Sequence, residues 1–424
     1  MASIETMPLE LKQLMLRGFN VDSLRSAVQA SPELRRAFFA YEGRICHAIL
    51  KNEFGEAILP IAIALYHAEM AASASHFQPT EDDEYTTKVI SFCSYYLAGK
   101  VYGKVDPDSL TLQMTIHIGQ FNKVAKNVTN FVEAEMCRTN RKYALDSWDR
   151  TILPKGPPSQ LNANERQRLL RTIYVYELAS KVVPHRVLRS DGSESMEAWR
   201  CFWSSFAPWE MNGIEALELS IGRIMHRKDM DSPNVGEYFG SVVQEALEEL
   251  SYEYFDRTRF LVSYNGPLMT ILHGGMRCFG KVIREQYHQP GYLEWNQKIC
   301  ANRNFEIMRP RLFDESVPNH LIWYNSGQRT MTEALGLYHM FTIDAGGSRD
   351  LWLMGQIFRQ IPNNSPLRDI LKDWAPAVVT MGRHGPHVEY FTFMDRDTLR
   401  ARLRYPTMDC LVQFAEYMAS EEQA

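Results

Sequence analysis

The sequence predicts a mainly α-helical protein in which three short N-terminal helices lead into a large helical body with a minor β component near the C-terminus. Three observations support this prediction. Apolar residues recur at helical spacing through most of the chain, Gly and Pro mark the breaks, and a β-branched and aromatic run lies near the end. Of the 424 residues, 45% are hydrophobic and 23% are charged, which is typical of a folded chain.

The first helix is predicted to start at Pro8, which lacks an amide hydrogen and suits the first turn, where that hydrogen would have no partner. Leu11, Leu14 and Met15 follow at i, i+3, i+4 spacing and share one side. Gly18 is a residue type that commonly ends a helix. The stretch therefore predicts one short amphipathic helix.

Two more helices are predicted directly after the first. Asp22 or Ser23 is placed to cap the second, and Ser31 to cap the third, with Pro32 at its first helical position. Three helices in about 35 residues bury too little apolar surface to be stable alone. We therefore expect them to pack against the body or against another protein.

The residues of these helices also form a pattern of their own. Its members are Met7-Pro8-Leu9-Glu10-Leu11, Leu14-Met15-Leu16, Phe19, Leu24, Val28, Ala30-Ser31 and Tyr41. The pattern resembles the F-box, and most of all the F-box-like openings of uncharacterised fungal proteins. In that family the three helices dock on the Skp-type adaptor of a cullin–RING ubiquitin ligase, and the rest of the chain holds the protein to be ubiquitinated. The resemblance implies adaptor docking by Met7, Pro8, Leu9, Leu11, Leu14, Leu24 and Val28.

A second pattern lies in a predicted helix, capped by Asn162 or Asn164, and in the aromatic stretch that follows it. Its residues are Glu165, Arg166, Arg168, Arg171 and the run Phe206-Ala207-Pro208-Trp209-Glu210. This combination is also similar to the fungal F-box-like proteins. We expect the arginines to form a solvated or ion-paired face, and Glu210 to cap a helix or to pair with one of them. The aromatic residues are predicted to form a buried core layer.

The clearest change of composition is the run Leu153-Pro-Lys-Gly-Pro-Pro-Ser-Gln. Adjacent prolines after a glycine cannot continue a helix and favour an extended connector. The predicted division is an F-box-like module over 5–46, a helical region over 47–152, a Pro-rich connector over 153–160 and a mainly helical C-terminal domain over 161–424. Within the last of these, the run from His387 to Phe393 predicts a strand.

Composition excludes several classes of function. The formal net charge of −5 provides no positive field to recruit nucleic acid or an anionic membrane. The start of the chain lacks a secretory signal, and the longest apolar run, Ala57 to Leu65, is too short to span a membrane. Seven scattered cysteines without a Cys-x-x-Cys pair predict free thiols and no zinc site. We therefore expect an intracellular protein, cytoplasmic or nuclear, with no metal and no cofactor.

Two loops carry the only candidate ligand-binding residues. Lys281 ends a Gly-x-x-x-x-Gly-Lys run from Gly275, but a valine follows it where a P-loop has the Ser or Thr that holds magnesium. Arg383, His384 and His387 share a Gly/Pro loop that could bind an anion or a metal, but no third ligand accompanies the histidines. Neither loop predicts a catalytic residue.

The sequence thus favours a binding protein over an enzyme, namely a substrate-recruiting ligase subunit whose substrate protein is unknown. Two alternatives stay open: an enzyme or small-ligand-binding protein that uses the C-terminal half, and a helical protein that keeps a degenerate F-box only for packing. The exposure of Leu9, Leu11 and Leu14 discriminates between docking and packing. An exposed apolar patch indicates a missing partner, whereas burial against residues 50–130 indicates packing.

Overall fold

A computed structural model describes the chain in several stretches. These are residues 4–73, 82–146, 160–183, 187–188, 194–195, 197–210, 213–214, 216–217, 220–221, 276–277, 330–341, 347–361, 393, 395 and 408–423. Helices account for most of these residues, so the prediction of a mainly α protein is confirmed. The predicted strand from His387 to Phe393 lies outside the described residues apart from Phe393 itself, and the predicted connector apart from Gln160.

Five helices follow one another closely at the start of the chain. They are α1 (Leu9–Arg17), α2 (Val21–Ala30), α3 (Pro32–Phe39), α4 (Glu42–Phe54) and α5 (Leu59–Ser73). The Ser31 hydroxyl accepts a hydrogen bond from the Leu34 amide at 3.3 Å, so the predicted cap of α3 is confirmed. The predicted cap of α2 is wrong, because the Asn20 side chain, two residues before Asp22, accepts from the Ser23 amide at 2.8 Å.

The remaining described elements are also mostly helical. They are α6 (Asp82–Phe92), a π-helix (Cys93–Leu97), α7 (Leu112–Asp146), α8 (Ala163–Val182), strands β1 (Val187–Leu188) and β2 (Glu194–Ser195), and helices α9 (Glu197–Trp203), α10 (Met331–Met340), α11 (Gly347–Gln360) and α12 (Met408–Gln423). The two strands pair antiparallel, with Val187 opposite Ser195. They were not predicted, because two residues are too few to show an alternating pattern. Among the described helices, none is long and apolar enough to cross a membrane.

The chain forms two compact units. The first unit comprises 1–127, 174–205 and 275–281, and the second unit comprises 128–173, 206–274 and 282–424. Each is assembled from separated stretches of sequence. The consecutive division predicted from the sequence, with boundaries at 46, 152 and 160, stays a prediction.

In the first unit, the N-terminal helices are fastened to the helices that follow them. A Cβ atom at Gly119 of α7 would lie 2.8 Å from a methyl carbon of Val21 in α2, so this glycine permits a close approach of the two helices. The Glu53 carboxylate accepts hydrogen bonds from the Val21 amide at 3.0 Å and from the Asn122 side chain at 3.3 Å. Helix α2 is therefore joined to α4 and α7 by these contacts.

In the second unit, α8 starts at a reciprocal cap. The Glu165 amide donates to the Asn162 side chain at 3.0 Å, and the Glu165 carboxylate accepts from the Asn162 amide at 2.9 Å. Of the two predicted caps, Asn162 is therefore the one used. The predicted burial of the aromatic residues in the run from Phe206 to Glu210 is confirmed, because Phe206 and Trp209 are each 1% exposed.

Candidate functional site on the outer side of the first helix

In helix α1 two leucines are exposed and two polar residues are buried, whereas most surface helices bury their apolar residues and expose their polar ones. Leu11 is 51% exposed and Leu14 is 64% exposed, whereas Lys12 and Gln13 are buried together with Leu16. At 100° per residue, positions 12, 13 and 16 fall on one side of the helix, and positions 11 and 14 fall on the other. The outer side of α1 is therefore apolar.

The inner contacts of α1 explain this orientation. The Lys12 ammonium donates to the backbone oxygen of Glu5 at 3.2 Å, and the Gln13 side chain donates to the backbone oxygen of Ala37 in α3 at 3.4 Å. Leu16 is fully buried on the same side. Because both polar groups find acceptors, their burial is tolerated. The helix is thus held by its inner side, which includes Leu16, and Leu11 and Leu14 are not needed to hold it.

The start of the helix extends the exposed surface. Leu9 is 44% exposed, Pro8 is exposed, and Met7 is half-buried. At 100° per residue, Leu9 falls on the side of Lys12 and Leu16 and is exposed at the start of the helix, so we call only Leu11 and Leu14 the leucine patch. Exposed apolar patches are a feature of surfaces that bind other molecules.

Leu24 and Val28 do not belong to this surface, although the resemblance assigned them to adaptor docking. Both are buried, at 0% and 4% exposure, on the inner side of α2 together with Val21. A partner cannot contact them while α2 stays packed against α3 and α7. Leu24 and Val28 are therefore core residues, and the members of the predicted docking set that are not buried are Met7, Pro8, Leu9, Leu11 and Leu14.

The other predicted ligand-binding residues are not placed by the structure. Lys281, Arg383, His384 and His387 lie outside the described residues. Two residues of the Gly275–Lys281 run are described, and both are helical and turned inward. Met276 is fully buried, and Arg277 forms an ion pair with Glu69. The Arg277 guanidinium is therefore engaged with a carboxylate of the protein itself.

That pair belongs to a cluster of charges that the sequence did not predict. The Arg277 guanidinium donates to both Glu69 carboxylate oxygens, at 2.7 and 2.8 Å. His117 contacts the same carboxylate through Nε2. The Arg277 amide donates to Glu177 at 3.2 Å, and Lys181 lies 3.4 Å from Glu177. We call Glu69, His117, Glu177 and Arg277 the buried charge cluster.

The two glutamates of the cluster differ in pKa. Burial alone would raise the pKa of Glu69, but the hydrogen bonds and charge of Arg277 and His117 outweigh it and hold that pKa below its usual value. Burial raises the pKa of Glu177 above its usual value, although Lys181 and Arg277 oppose the rise. The surroundings thus stabilise the ionised form of Glu69, whereas burial opposes the ionisation of Glu177. Both carboxylate oxygens of Glu69 accept hydrogen bonds from Arg277, so the cluster holds residue 277 in the first unit.

In the second unit, the arginines of α8 form the ion-paired face that we expected. The pairs are Arg171 with Glu210 at 2.6 Å, Arg168 with Asp395 at 2.6 Å and Arg166 with Glu133 at 3.3 Å. Glu210 also accepts a hydrogen bond from the Ala207 amide at 3.1 Å, so it both pairs and caps, as predicted. These arginines are therefore engaged within the protein.

Comparison with other proteins adds no further residue to these sites. No protein-family model, no curated protein and no solved structure matches this chain. In the part of the chain that the structure describes, no group of three or more His, Cys, Asp or Glu side chains is placed to hold a metal ion.

Proposed function

We propose that this protein is a substrate-recruiting subunit of a cullin–RING ubiquitin ligase and that α1 docks on a Skp-type adaptor. The observation that carries the proposal is the exposure of Leu11 and Leu14 on the side of α1 opposite to its buried side. The resemblance of the opening residues to the F-box supplies the identity of the partner. The substrate protein stays unknown.

The geometry of α1 suits docking into an apolar groove. Leu11 and Leu14 are i, i+3 neighbours on one side of the helix, which is the spacing with which amphipathic helices anchor in hydrophobic grooves. Burial of one leucine side chain contributes about 1.5–3 kcal/mol. Because Lys12 and Gln13 already fix the helix orientation, docking requires no reorientation of α1, which reduces the entropy lost on binding.

The alternative in which the F-box-like helices serve only for packing receives less support. In that case the leucine patch would be covered by the helical region that follows. Instead, Gly119 of α7 and Glu53 of α4 contact α2, through Val21. The helical region thus packs on α2, and Leu9, Leu11 and Leu14 remain exposed in the folded chain.

Co-purification with a fungal Skp-type adaptor tests the proposal. We expect the full chain to retain the adaptor and the double variant Leu11→Asp plus Leu14→Asp to lose it. Met340→Asp is the matched control, because Met340 of α10 is 62% exposed and Leu14 is 64% exposed. A folded wild-type chain that retains no adaptor would contradict the proposal, and so would equal loss in the Met340→Asp control.

A further inference from the structure

In the second unit, three aromatic side chains and one arginine surround Trp209. The ring of Trp209 lies 5.7 Å from the nearest Trp352 ring, 5.9 Å from Phe341 and 6.4 Å from Tyr338, measured between ring centroids. The Arg349 guanidinium carbon lies 5.7 Å from the Trp209 ring and 3.9 Å from the Tyr338 ring. We call these five residues the Trp209 cluster.

Three hydrogen-bond donors in this cluster have no acceptor in the part of the chain that the structure describes. They are Nε1 of Trp209, Nε1 of Trp352 and Nε of Arg349, and all three atoms are shielded from solvent. Trp209 is 1% exposed and Trp352 is 3% exposed. Buried indole N–H groups usually find a partner, because a donor without an acceptor loses its hydration and gains nothing in return. Three such donors on neighbouring side chains indicate a missing acceptor.

The polar groups nearby are engaged elsewhere. The Tyr338 hydroxyl donates to the Asp350 carboxylate at 3.3 Å, and an NH₂ group of Arg349 donates to the backbone oxygen of Tyr338. The Asp350 carboxylate is therefore close to the cluster but does not accept from either indole or from Arg349 Nε. What the cluster lacks is an acceptor that can serve several donors.

We propose that the Trp209 cluster binds a small anion, a halide or a short carboxylate, through these three donors. A water molecule would accept two of the hydrogen bonds but would bring two protons that need acceptors themselves, whereas an anion only accepts. The Arg349 guanidinium contributes positive charge and a charge-assisted hydrogen bond. The near-complete burial of both indoles restricts the ligand to a compact ion. This inference does not depend on adaptor docking.

Indole N–H resonances provide a direct probe of the site. The full chain, labelled with ¹⁵N in its tryptophans and dialysed into a gluconate buffer, is titrated with sodium chloride or with sodium formate at constant ionic strength. We expect saturable shifts of the Trp209 and Trp352 signals with at least one of these ions, assigned with Trp209→Phe and Trp352→Phe. The signal of Trp203, a buried tryptophan of the first unit, serves as the internal control. The two titrations distinguish a halide site from a carboxylate site.

Two variants separate the proposed site from a general effect of salt. Arg349→Gln should weaken binding of the ion at least tenfold. Arg166→Gln removes the same charge from a half-exposed position of the second unit and should leave binding unchanged. Trp352→Phe keeps an aromatic ring but removes one donor, so it should weaken binding of the ion severalfold. This variant still tests the site if Arg349→Gln fails to fold. A shift that does not saturate would overturn the proposal. Equal affinity in wild type and Trp352→Phe would also overturn it.

Discussion

Helices α1 and α2 are neighbours of similar length, yet they differ in how much of their apolar surface is exposed. α2 buries Leu24 and Val28, whereas α1 exposes Leu11 and Leu14. Both helices lie against α3 in the same unit. Their difference therefore cannot come from helix propensity or from solvent conditions. The apolar residues of α2 thus belong to the core, whereas the outer side of α1 is left exposed.

The largest expected effect tests the folding side of this comparison. Leu24→Ala removes a fully buried side chain and should lower the free energy of unfolding by about 2–5 kcal/mol. Leu14→Ala makes the same change at an exposed position and should alter it by no more than about 0.5 kcal/mol. Urea denaturation of both variants measures the two values. Similar losses would mean that the leucine patch contributes to folding.

A smaller change in stability is expected for polar groups. The buried charge cluster contains two glutamates whose pKa values are shifted in opposite directions. Glu69→Gln removes the charged partner of Arg277 and should destabilise the protein by about 1–3 kcal/mol at neutral pH. Glu177→Gln removes a carboxyl whose ionisation is opposed by burial, and should stabilise the protein at neutral pH. Urea denaturation at pH 5 and pH 8 measures both variants.

The pH dependence has a defined sign for each glutamate. The pKa of Glu69 is lowered in the folded state, so its stabilisation is present above the ordinary carboxyl pKa and is lost as the pH falls through the lowered pKa. The pKa of Glu177 is raised, so its contribution is present below the ordinary value and is lost as the pH rises through the raised pKa. The increase in the free energy of unfolding caused by Glu177→Gln should therefore be larger at pH 8 than at pH 5. A gain that shrinks would contradict this assignment.

The smallest effect concerns the inner side of α1. Gln13→Ala removes the side chain that donates to the Ala37 backbone oxygen and should cost about 0.5–1.5 kcal/mol of stability. Gln29→Ala makes the same change at an exposed position of α2 and should have an effect within about 0.5 kcal/mol. Thermal unfolding of the two variants gives the comparison. If both behave alike, the buried glutamine does not fix the orientation of α1.

The helices were predictable because their signals are local. Ser31 and Asn162 cap the helices that follow them, and Gly18 follows α1 directly. The cap of α2 was misplaced because Asn20 and Asp22 are both capping residue types, and the path of the chain decides between them. Local spacing therefore predicts that a helix forms more reliably than it predicts where the helix begins.

The candidate sites were harder to predict, since they depend on distant residues. Helical spacing showed that Leu11 and Leu14 share one side, whereas the resemblance placed Leu24 and Val28 in the same docking set. Neither pattern tells which side of a helix is covered in the folded chain. The pair of Glu69 and Arg277 joins residues 208 positions apart and leaves no local pattern. The one available signal was a lone carboxylate within the apolar helix α5.

The affinity of the purified full chain for a purified Skp-type adaptor tests adaptor docking by α1 most directly. Isothermal titration of wild type and Leu14→Ala should give a dissociation constant about tenfold or more higher for the variant, because the removed side chain would be buried in the complex. The stability of the two proteins should be equal. An unchanged dissociation constant for Leu14→Ala, or no binding by folded wild type, would contradict the assignment of the leucine patch to adaptor docking.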